Sequence, residues 1–299
     1  MYYVHITTAS DLNMAPCLHS TLLSCLDQLN PKYSCCFHLY LKDFKAKDVN
    51  LIKETLKPHD NRYEMIVHDV AKVALPAGKG ISGNRMSYIL FTALNQCDTD
   101  HVIWIDADMI VLTDLSVVWD QLTKEEERAF VVARRSLRFA HPMERRVMLE
   151  YGMKEDDPFF NAGFIGTSTK KFRDLNGYQK CNDFINKHPE QSDQGAVNFL
   201  FKGRLCLLDH KYNTPHWPND RSVSLDPKDI LCHFIGSPKP WDLFGNYIHP
   251  SYSIFESWVV KTAYNSRYKK RYFSYSAWRR FLRISYKYWP VLKAKFGII

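Results

Sequence analysis

Five short apolar runs constrain what this chain can fold into: YYVHITT (2–8), CCFHLYL (35–41), YEMIV (63–67), HVIWI (101–105) and AFVVA (129–133), with helical stretches between them. Between the first two, APCLHSTLLSCLDQL sets Leu18, Leu22, Cys25, Leu26 and Leu29 on one helical face. Pro16 suits its first turn and Asn30-Pro31 closes it. This alternation predicts an α/β chain with a mainly parallel central sheet covered by helices, and ligands in such sheets sit beyond the carboxyl ends of the strands. At 299 residues, 45% hydrophobic and 14% aromatic, the chain has the apolar surface for one large core. No internal repeat and no Pro/Gly/Ser linker divides the first 260 residues. We expect one domain over residues 1–262 and a basic extension over 263–299.

The run HVIWIDADMIVLTDL (101–115) interrupts buried strand with Asp106 and Asp108. On a strand, residues two apart point the same way, so both carboxylates converge at the strand's end, where they repel unless a divalent cation compensates. The spacing alone is weak. Asp98-Thr99-Asp100 is also D-x-D and is explained by a solvated turn, and a strand-end turn with an Asp cap explains Asp106 and Asp108 as well. Three further segments bear on them. PFFNAGFIG (158–166) sets Asn161 and two glycines in a strand-like run, the pattern of a bulged core strand or of a close backbone approach to a ligand. SDQGAVNFL (192–200) places Ser192 at an N-cap and Asp193 and Gln194 in the first helical turn. Capping and the helix dipole account for Asp193 but not for Gln194, whose amide both donates and accepts. LCHFIGSPKPW (231–241) ends a strand with His233, Gly236 and Lys239. Alone, His233 reads as a strand histidine; with the aspartates it reads as a third metal ligand beside a turn and a lysine suited to phosphate.

In this order, TTASDLNMAP, IWIDADMIVLTDL, FFNAGFIGTSTKKF, SDQGAVNFLFKG and HFIGSPKPW resemble the retaining glycosyltransferases of family 8, whose members include glycogenin and the bacterial lipo-oligosaccharide galactosyltransferases. The resemblance covers roughly residues 2–245. It implies a Rossmann-like GT-A nucleotide-sugar-binding fold and dependence on Mn²⁺, with Mg²⁺ as the alternative ion. The implied reaction transfers galactose or glucose from a UDP-hexose, with retention, to a saccharide or glycolipid acceptor such as lipopolysaccharide core or capsule. Carried over to this chain, it implies that Asp11 and Asn13 bind the uracil beside Ala9, and that Asp106, Asp108 and His233 hold the metal. Asp106 and Ala107 would contact the nucleotide, and Gly236 and Lys239 would cradle the phosphates. Arg85, Asn161 and Asp193 would contact the donor sugar, and Gln194 would lie under the anomeric carbon. Two departures stand out. Arg85 lies farther from the D-x-D than the family's arginine, implying a long helix over 83–96. Where many relatives place an acid near the donor sugar, this chain reads Arg134-Arg135: either two solvated arginines or a selector for an anionic or differently hydroxylated sugar.

Segments 137–157 and 209–229 read as irregular loops closing over a donor, with His216 and Trp217 placed to stack on an acceptor sugar, or as ordinary surface loops. Residues 264–299 hold ten Lys/Arg and no acid, so the rest of the chain carries 30 basic against 32 acidic side chains and the net +8 belongs to the tail. Eleven aromatics are interleaved there, and helical spacing sets Trp278, Phe281, Leu282, Ser285 and Trp289 on one face, opposite Arg279, Arg280, Arg283 and Lys287. Such a helix suits an anionic membrane surface; nucleic-acid binding or packing on the body are the competing readings, and no nucleic acid is expected. No signal-like N-terminus or membrane-spanning window is seen, so we expect a cytoplasmic protein, peripheral on the inner face of the cell membrane. The eight cysteines form no CxxC pair and read as reduced thiols. Nucleotidyl transfer lacks a Gly-rich triphosphate loop near residue 10, and a non-catalytic nucleotide-sugar or RNA-binding protein would leave the acidic pair and His233 without a purpose.

Overall fold

Strand β1 (Tyr2–Asp11) runs parallel to β2 (Tyr33–Lys42) in unbroken register from Tyr2↔Tyr33 to Asp11↔Lys42, and β2 runs parallel to β3 (Tyr63–Asp69). These coordinates are a computed structural model that describes residues 2–79, 85–125, 127–220 and 227–296; the side chains of 133–135 and 294 are outside the described set. Helix α1 (Ala15–Gln28) makes the first crossover and buries Leu18, Leu22, Cys25 and Leu26 against the sheet; α2 (Ala46–Leu56) makes the second. A 3-10 turn, Met86–Tyr88, leads into α3 (Ile89–Gln96); of the helix expected over 83–96, residues 83 and 84 lie outside the described residues and the described part is α-helical from Ile89. The tighter turn accompanies burial of Tyr88, whose hydroxyl donates to the Gln191 carbonyl at 3.0 Å.

Strand β4 (His101–Ile105) is buried throughout, and β5 (Met109–Val111) follows the D-x-D turn. Then come α4 (Ser116–Leu122), β6 (Ala129–Ser136), α5 (Pro142–Glu150), β7 (Pro158–Ser168), α6 (Thr169–Asp174), α7 (Gly177–Lys187), α8 (Asp193–Leu200) and the short strands β8 (Leu205–Leu207), β9 (Thr214–His216) and β10 (Leu231–Phe234). Among the described residues the main sheet has the order β3-β2-β1-β4-β7-β6-β8. Its pairings are parallel except where β7 runs antiparallel to β4 and β6. Ile103 and Ile105 enter a core shared with α1 and α9 (Tyr252–Val259), whereas Val102 and Trp104 enter a second core shared with α3, α7 and α8. This alternation is that of a strand covered on both faces. The architecture is the GT-A type expected of the sequence.

Two expected loops are more ordered than their composition indicated. Segment 137–157 contains α5, started by Pro142 in its first turn and by His141, which accepts from the Met143 amide; Val147 and Met148 are its buried residues. Segment 209–229 contains a 3-10 turn, His210–Asn213, and β9, with 221–226 outside the described residues.

The C-terminal segment forms α10 (Asn265–Lys269), α11 (Tyr275–Ile284) and α12 (Tyr288–Phe296). The helix expected through 274–289 is interrupted at Ser285–Lys287, where the Ser285 hydroxyl bonds back to the Leu282 carbonyl at 3.0 Å. Ile284, Tyr288 and Val291 are buried with Ile248, and Arg280 pairs with the buried Asp242 at 2.5 and 3.1 Å. Phe273, Leu282, Tyr286 and Trp289 remain exposed. Among the described residues no helix is long and apolar enough to cross a membrane.

Candidate metal centre and its surroundings

The acidic pair sits where the parallel strands end. Asp106 follows β4, and its backbone N–H donates to the Gly163 carbonyl of β7 at 2.9 Å. Trp104 and Asp106 share a face of the strand, and the indole N–H donates to Asp106 Oδ1 at 3.0 Å. The turn between the two acids is fixed from α1: the Thr21 hydroxyl reaches the carbonyls of Ala107 at 3.1 Å and Met109 at 2.6 Å. Antiparallel pairing of β5 with β10 sets His233 opposite Met109, and the Phe234 amide donates to the Asp108 carbonyl at 3.0 Å. Residues 125 positions apart in sequence are thereby brought together. His233 Nε2 lies 3.2 Å from Asp108 Oδ1 and 3.7 Å from Asp106 Oδ2. The three residues form a group that can hold one ion.

Electrostatics within this group are lopsided. Withdrawal from solvent and the facing Asp108 carboxylate push Asp106 up to about 6. Burial would also raise Asp108, but Lys239, at 2.6 Å from Asp108 Oδ2, and His233 more than offset it and hold that carboxyl well below the usual range. Lys239 also donates to the Phe234 carbonyl. Its ammonium therefore stands on Asp108 in this structure. Gly236 has φ +81, and a β-carbon there would lie 3.2 Å from the Trp217 ring, so this turn presents backbone against an aromatic wall.

Two side chains that sequence reasoning overlooked organise the group. Asn213, in the 3-10 turn before β9, accepts from His233 Nδ1 at 3.0 Å and donates to Asn161 Oδ1 at 3.0 Å. With Nδ1–H directed at Asn213, Nε2 is turned toward the carboxylates and is the ring nitrogen that a metal held there would use. The second is Glu144 of α5. Its Oε1 accepts from the Ser192 hydroxyl at 3.3 Å and from Gln194 Nε2 at 3.4 Å, and burial raises its carboxyl. Ser192 does occupy the N-cap position of α8, but its hydroxyl serves Glu144 and makes no cap bond. Neither residue had a signal beyond being a polar residue in a segment read as a loop.

Asn161 reaches the group through a bulge. Val131 pairs with Ile165 while Ala133 pairs with Phe160, so β7 uses five residues where β6 uses two. The extra length carries Asn161 outward: its amide donates to Gln194 Oε1 at 2.9 Å and its oxygen accepts from the Gly163 amide at 3.1 Å. Gln194 is thus held from both sides, by Asn161 and Glu144. Asp193 is buried in the first turn of α8, and that burial pushes it up to about 6 against the opposing pull of Ser87 and the helix amides. Arg85 lies two residues before Ser87, with its guanidinium on the carbonyls of Leu75 and Pro76.

The remaining expected contacts lie at the end of β1. Ala9 and Asp11 belong to the strand itself, and Asp11 Oδ1 caps the following turn by accepting from the amides of Asn13 at 2.9 Å and Met14 at 3.3 Å. Asn13 lines a 560 Å³ cleft whose far wall is the C-terminal segment, including Arg267, Tyr268, Arg271 and Arg280. His216 is fully buried, edge-on to Phe234, so it cannot stack on an acceptor as anticipated; Trp217 beside it is 42% exposed. The side chains of Arg134 and Arg135 lie outside the described residues.

Comparison with known proteins places this geometry in context. The description "Glycosyl transferase family 8" matches residues 5–244. A lipopolysaccharide 1,3-galactosyltransferase of Salmonella typhimurium is 25% identical over 231 residues, 73% of this chain and 67% of that one. Among solved structures, the apo bifunctional glycosyltransferase WbbM superposes with a TM-score of 0.72 at 16% identity, covering 90% of this chain and 52% of its own. The galactosyltransferase LgtC, crystallised with donor and acceptor sugar analogues, superposes with a TM-score of 0.68 at 20% identity over 87% of this chain and 96% of its own. This chain spans about half of WbbM, and the two likenesses are ones of fold.

Proposed function

Since the chain belongs to glycosyltransferase family 8, we propose that it transfers a hexose, galactose or glucose, from a UDP-sugar to a saccharide or glycolipid acceptor, with Mn²⁺ held by Asp106, Asp108 and His233 and with retention at the anomeric carbon. The observation that carries this reading is the meeting of those three side chains from two distant strand ends, with Asn213 fixing the histidine tautomer. Ligand-atom separations of 3.2 and 3.7 Å suit one ion, since an octahedron with bonds of about 2.1 Å has edges of about 3 Å. Two carboxylates suit Mg²⁺ or Mn²⁺, and the imidazole favours the transition metal. When bound, the metal offsets charge on the diphosphate as UDP departs.

The chain's own groups do the rest. Asp11 and Asn13 hold the uracil beside Ala9, at the cleft lined by Asn13. Lys239, which lies on Asp108 in this structure, would hold the phosphates and meet the charge that grows on the leaving group. Gly236, at φ +81, lets its backbone approach those phosphates, and Asp106 and Ala107 contact the nucleotide. Asn161, Asp193 and Arg85 orient the donor sugar. Gln194, clamped between Asn161 and Glu144, presents its side-chain oxygen beneath the anomeric carbon, where it stabilises positive charge as the bond to UDP breaks. Glu144 supplies from α5 the acid that β6 lacks at Arg134-Arg135. The exposed aromatics and lysines of the C-terminal segment hold the enzyme at an anionic inner-leaflet surface, where each basic side chain contributes about 1 kcal/mol.

Turnover of a panel of UDP-sugars with Mn²⁺, with the product anomer assigned by proton NMR, tests the reaction. An α-linked product from an α-linked UDP-hexose supports it; inversion, or turnover indifferent to Mn²⁺, defeats it. Because Ile284, Tyr288 and Val291 are packed on the body, the membrane step is tested with Leu282→Ser/Trp289→Ser and not by truncation. Loss of sedimentation with anionic vesicles at unchanged melting temperature is the expected result, and unchanged sedimentation refutes it.

A further inference from the structure

A second cluster of metal-ligating side chains lies nearer the amino ends of the same strands. His5 on β1 is the register partner of Cys36 on β2, and Cys36 in turn is opposite Glu64 on β3. One transverse row therefore carries imidazole, thiol and carboxylate, with strands about 4.8 Å apart. His38, two residues along β2, projects from the same face as Cys36. His5 Nδ1 lies 3.1 Å from His38 Nε2, Cys36 Sγ lies 3.6 Å from that same Nε2, and the three ligand atoms are mutually within 4.8 Å. A tetrahedral zinc site with Zn–N bonds of about 2.05 Å and Zn–S bonds of about 2.3 Å has N–N edges of about 3.3 Å and N–S edges of about 3.6 Å. We propose that His5, Cys36 and His38 form a binding site for a borderline-soft divalent cation, Zn²⁺, separate from the Asp106/Asp108/His233 centre, with the fourth position left to water or Glu64.

The surroundings support such a site. Cys36 and His38 are buried and His5 is half-buried, so the ligands sit out of bulk water with a way in at His5. The His68 ring stacks on His38 at 5.9 Å and on Tyr40 at 4.3 Å, and Trp119 lies 5.9 Å from the His5 ring; these contacts hold both imidazoles in place. Burial, reinforced by the neighbouring His5 and His68, lowers His38 to about 4, and burial lowers His5, so both rings are neutral at pH 7 and able to donate a lone pair. Burial pushes the Cys36 thiol up to about 11, so an entering cation displaces one proton and binds more weakly as pH falls. The two centres also differ in chemistry: thiol and imidazole select Zn²⁺, whereas the carboxylate-rich centre suits Mg²⁺ or Mn²⁺. His5 precedes Asp11 by six residues of extended strand, about 20 Å at 3.3 Å per residue, so the site is remote from the proposed chemistry.

The test is a Co²⁺ titration of the metal-free full chain followed by visible and near-ultraviolet absorption, with Zn²⁺ as competitor. A thiolate-to-cobalt charge-transfer band is expected in the parent and in Asp108→Ala, and its loss is expected in Cys36→Ala. Zn²⁺ affinity at this site should fall more than about 100-fold in His38→Ala, because even outer partners of a metal contribute 10–100-fold. Because replacing a buried residue can unsettle the fold, His5→Ala, checked by circular dichroism, serves as a second variant with the same expected loss. Absence of the band in the parent overturns the proposal, as does its persistence in Cys36→Ala or an undiminished Zn²⁺ affinity in folded His5→Ala. In those cases the three side chains form only a hydrogen-bonded cluster.

Discussion

Replacing Asn213 separates the two things its side chain does. Its oxygen accepts from His233 Nδ1 and its amide donates to Asn161 Oδ1, each at 3.0 Å and in a buried setting. In Asn213→Ala both bonds are lost. The orphaned Nδ1–H costs about 1–3 kcal/mol of stability, and the imidazole is then able to carry its proton on Nε2, the atom turned toward Asp106 and Asp108. Loss of such an outer partner lowers metal affinity about 10–100-fold, equivalent to about 1.4–2.7 kcal/mol. In Asn213→Asp the acceptor for Nδ1–H is retained and carries more charge, but an oxygen now faces Asn161 Oδ1, so Asn161 and with it Gln194 lose their anchor. Mn²⁺ binding, followed by electron paramagnetic resonance of the free ion in the presence of UDP, should therefore weaken 10–100-fold in Asn213→Ala and stay near the parent value in Asn213→Asp, while donor turnover falls in both. An equal loss of Mn²⁺ in the two variants would refute the tautomer argument, as would undiminished Mn²⁺ binding in Asn213→Ala.

Three further expectations rest on separate observations. In Gly163→Ala the new methyl would stand 2.5 Å from His233 Cε1, 2.8 Å from Met109 Cε and 2.9 Å from Asn161 Oδ1, so metal binding and turnover should collapse while circular dichroism keeps the parent spectrum; normal activity would show that the bulge yields. Burial raises the Asp193 carboxyl to about 6 from 3.8, so its ionised form weighs against folding: the cost is absent below about pH 4, where both states are protonated, grows between 4 and 6, and reaches about 3 kcal/mol above that. Asp193→Asn should accordingly melt higher than the parent at pH 7, match it at pH 4 and lose activity, and a stability gain independent of pH would contradict this. Lys239→Met leaves Asp108 without its 2.6 Å partner, and urea unfolding at pH 7 without metal should show a loss of about 3–5 kcal/mol that added Mn²⁺ partly restores; parental stability would mean that the pair is solvent-screened.

The strands and the first helix were legible because burial on a sheet or helix leaves a period of two or 3.6 in the apolar residues, and HVIWI and Leu18, Leu22, Cys25 and Leu26 carry that signal locally. Asp106, Asp108 and His233 were legible because polar residues stood inside otherwise apolar runs. Asn213 and Glu144 were not. Each acts through hydrogen bonds to residues 20 to 52 positions away, and nothing periodic marks the partner of such a bond. The bulge at Asn161 was half visible in its glycines, but its size follows from the register that β7 keeps with β4 while parting from β6. Burial of His216 escaped notice for a similar reason: its neighbours Pro215 and Trp217 read as loop, yet parallel pairing of β9 with β10 turns the imidazole inward. The C-terminal helices were read by their charge, and the charge pattern gave no hint that Asp242 would bury Arg280 against the body.

In the proposed reaction a metal joins the acidic pair and His233 to a nucleotide diphosphate. Calorimetric titration of UDP into the intact chain, in Mn²⁺ and again in excess chelator, tests that most directly. Binding that is readily measured with Mn²⁺, is lost in chelator and is lost in Asp108→Ala is the predicted result. UDP binding of equal strength in chelator would contradict it.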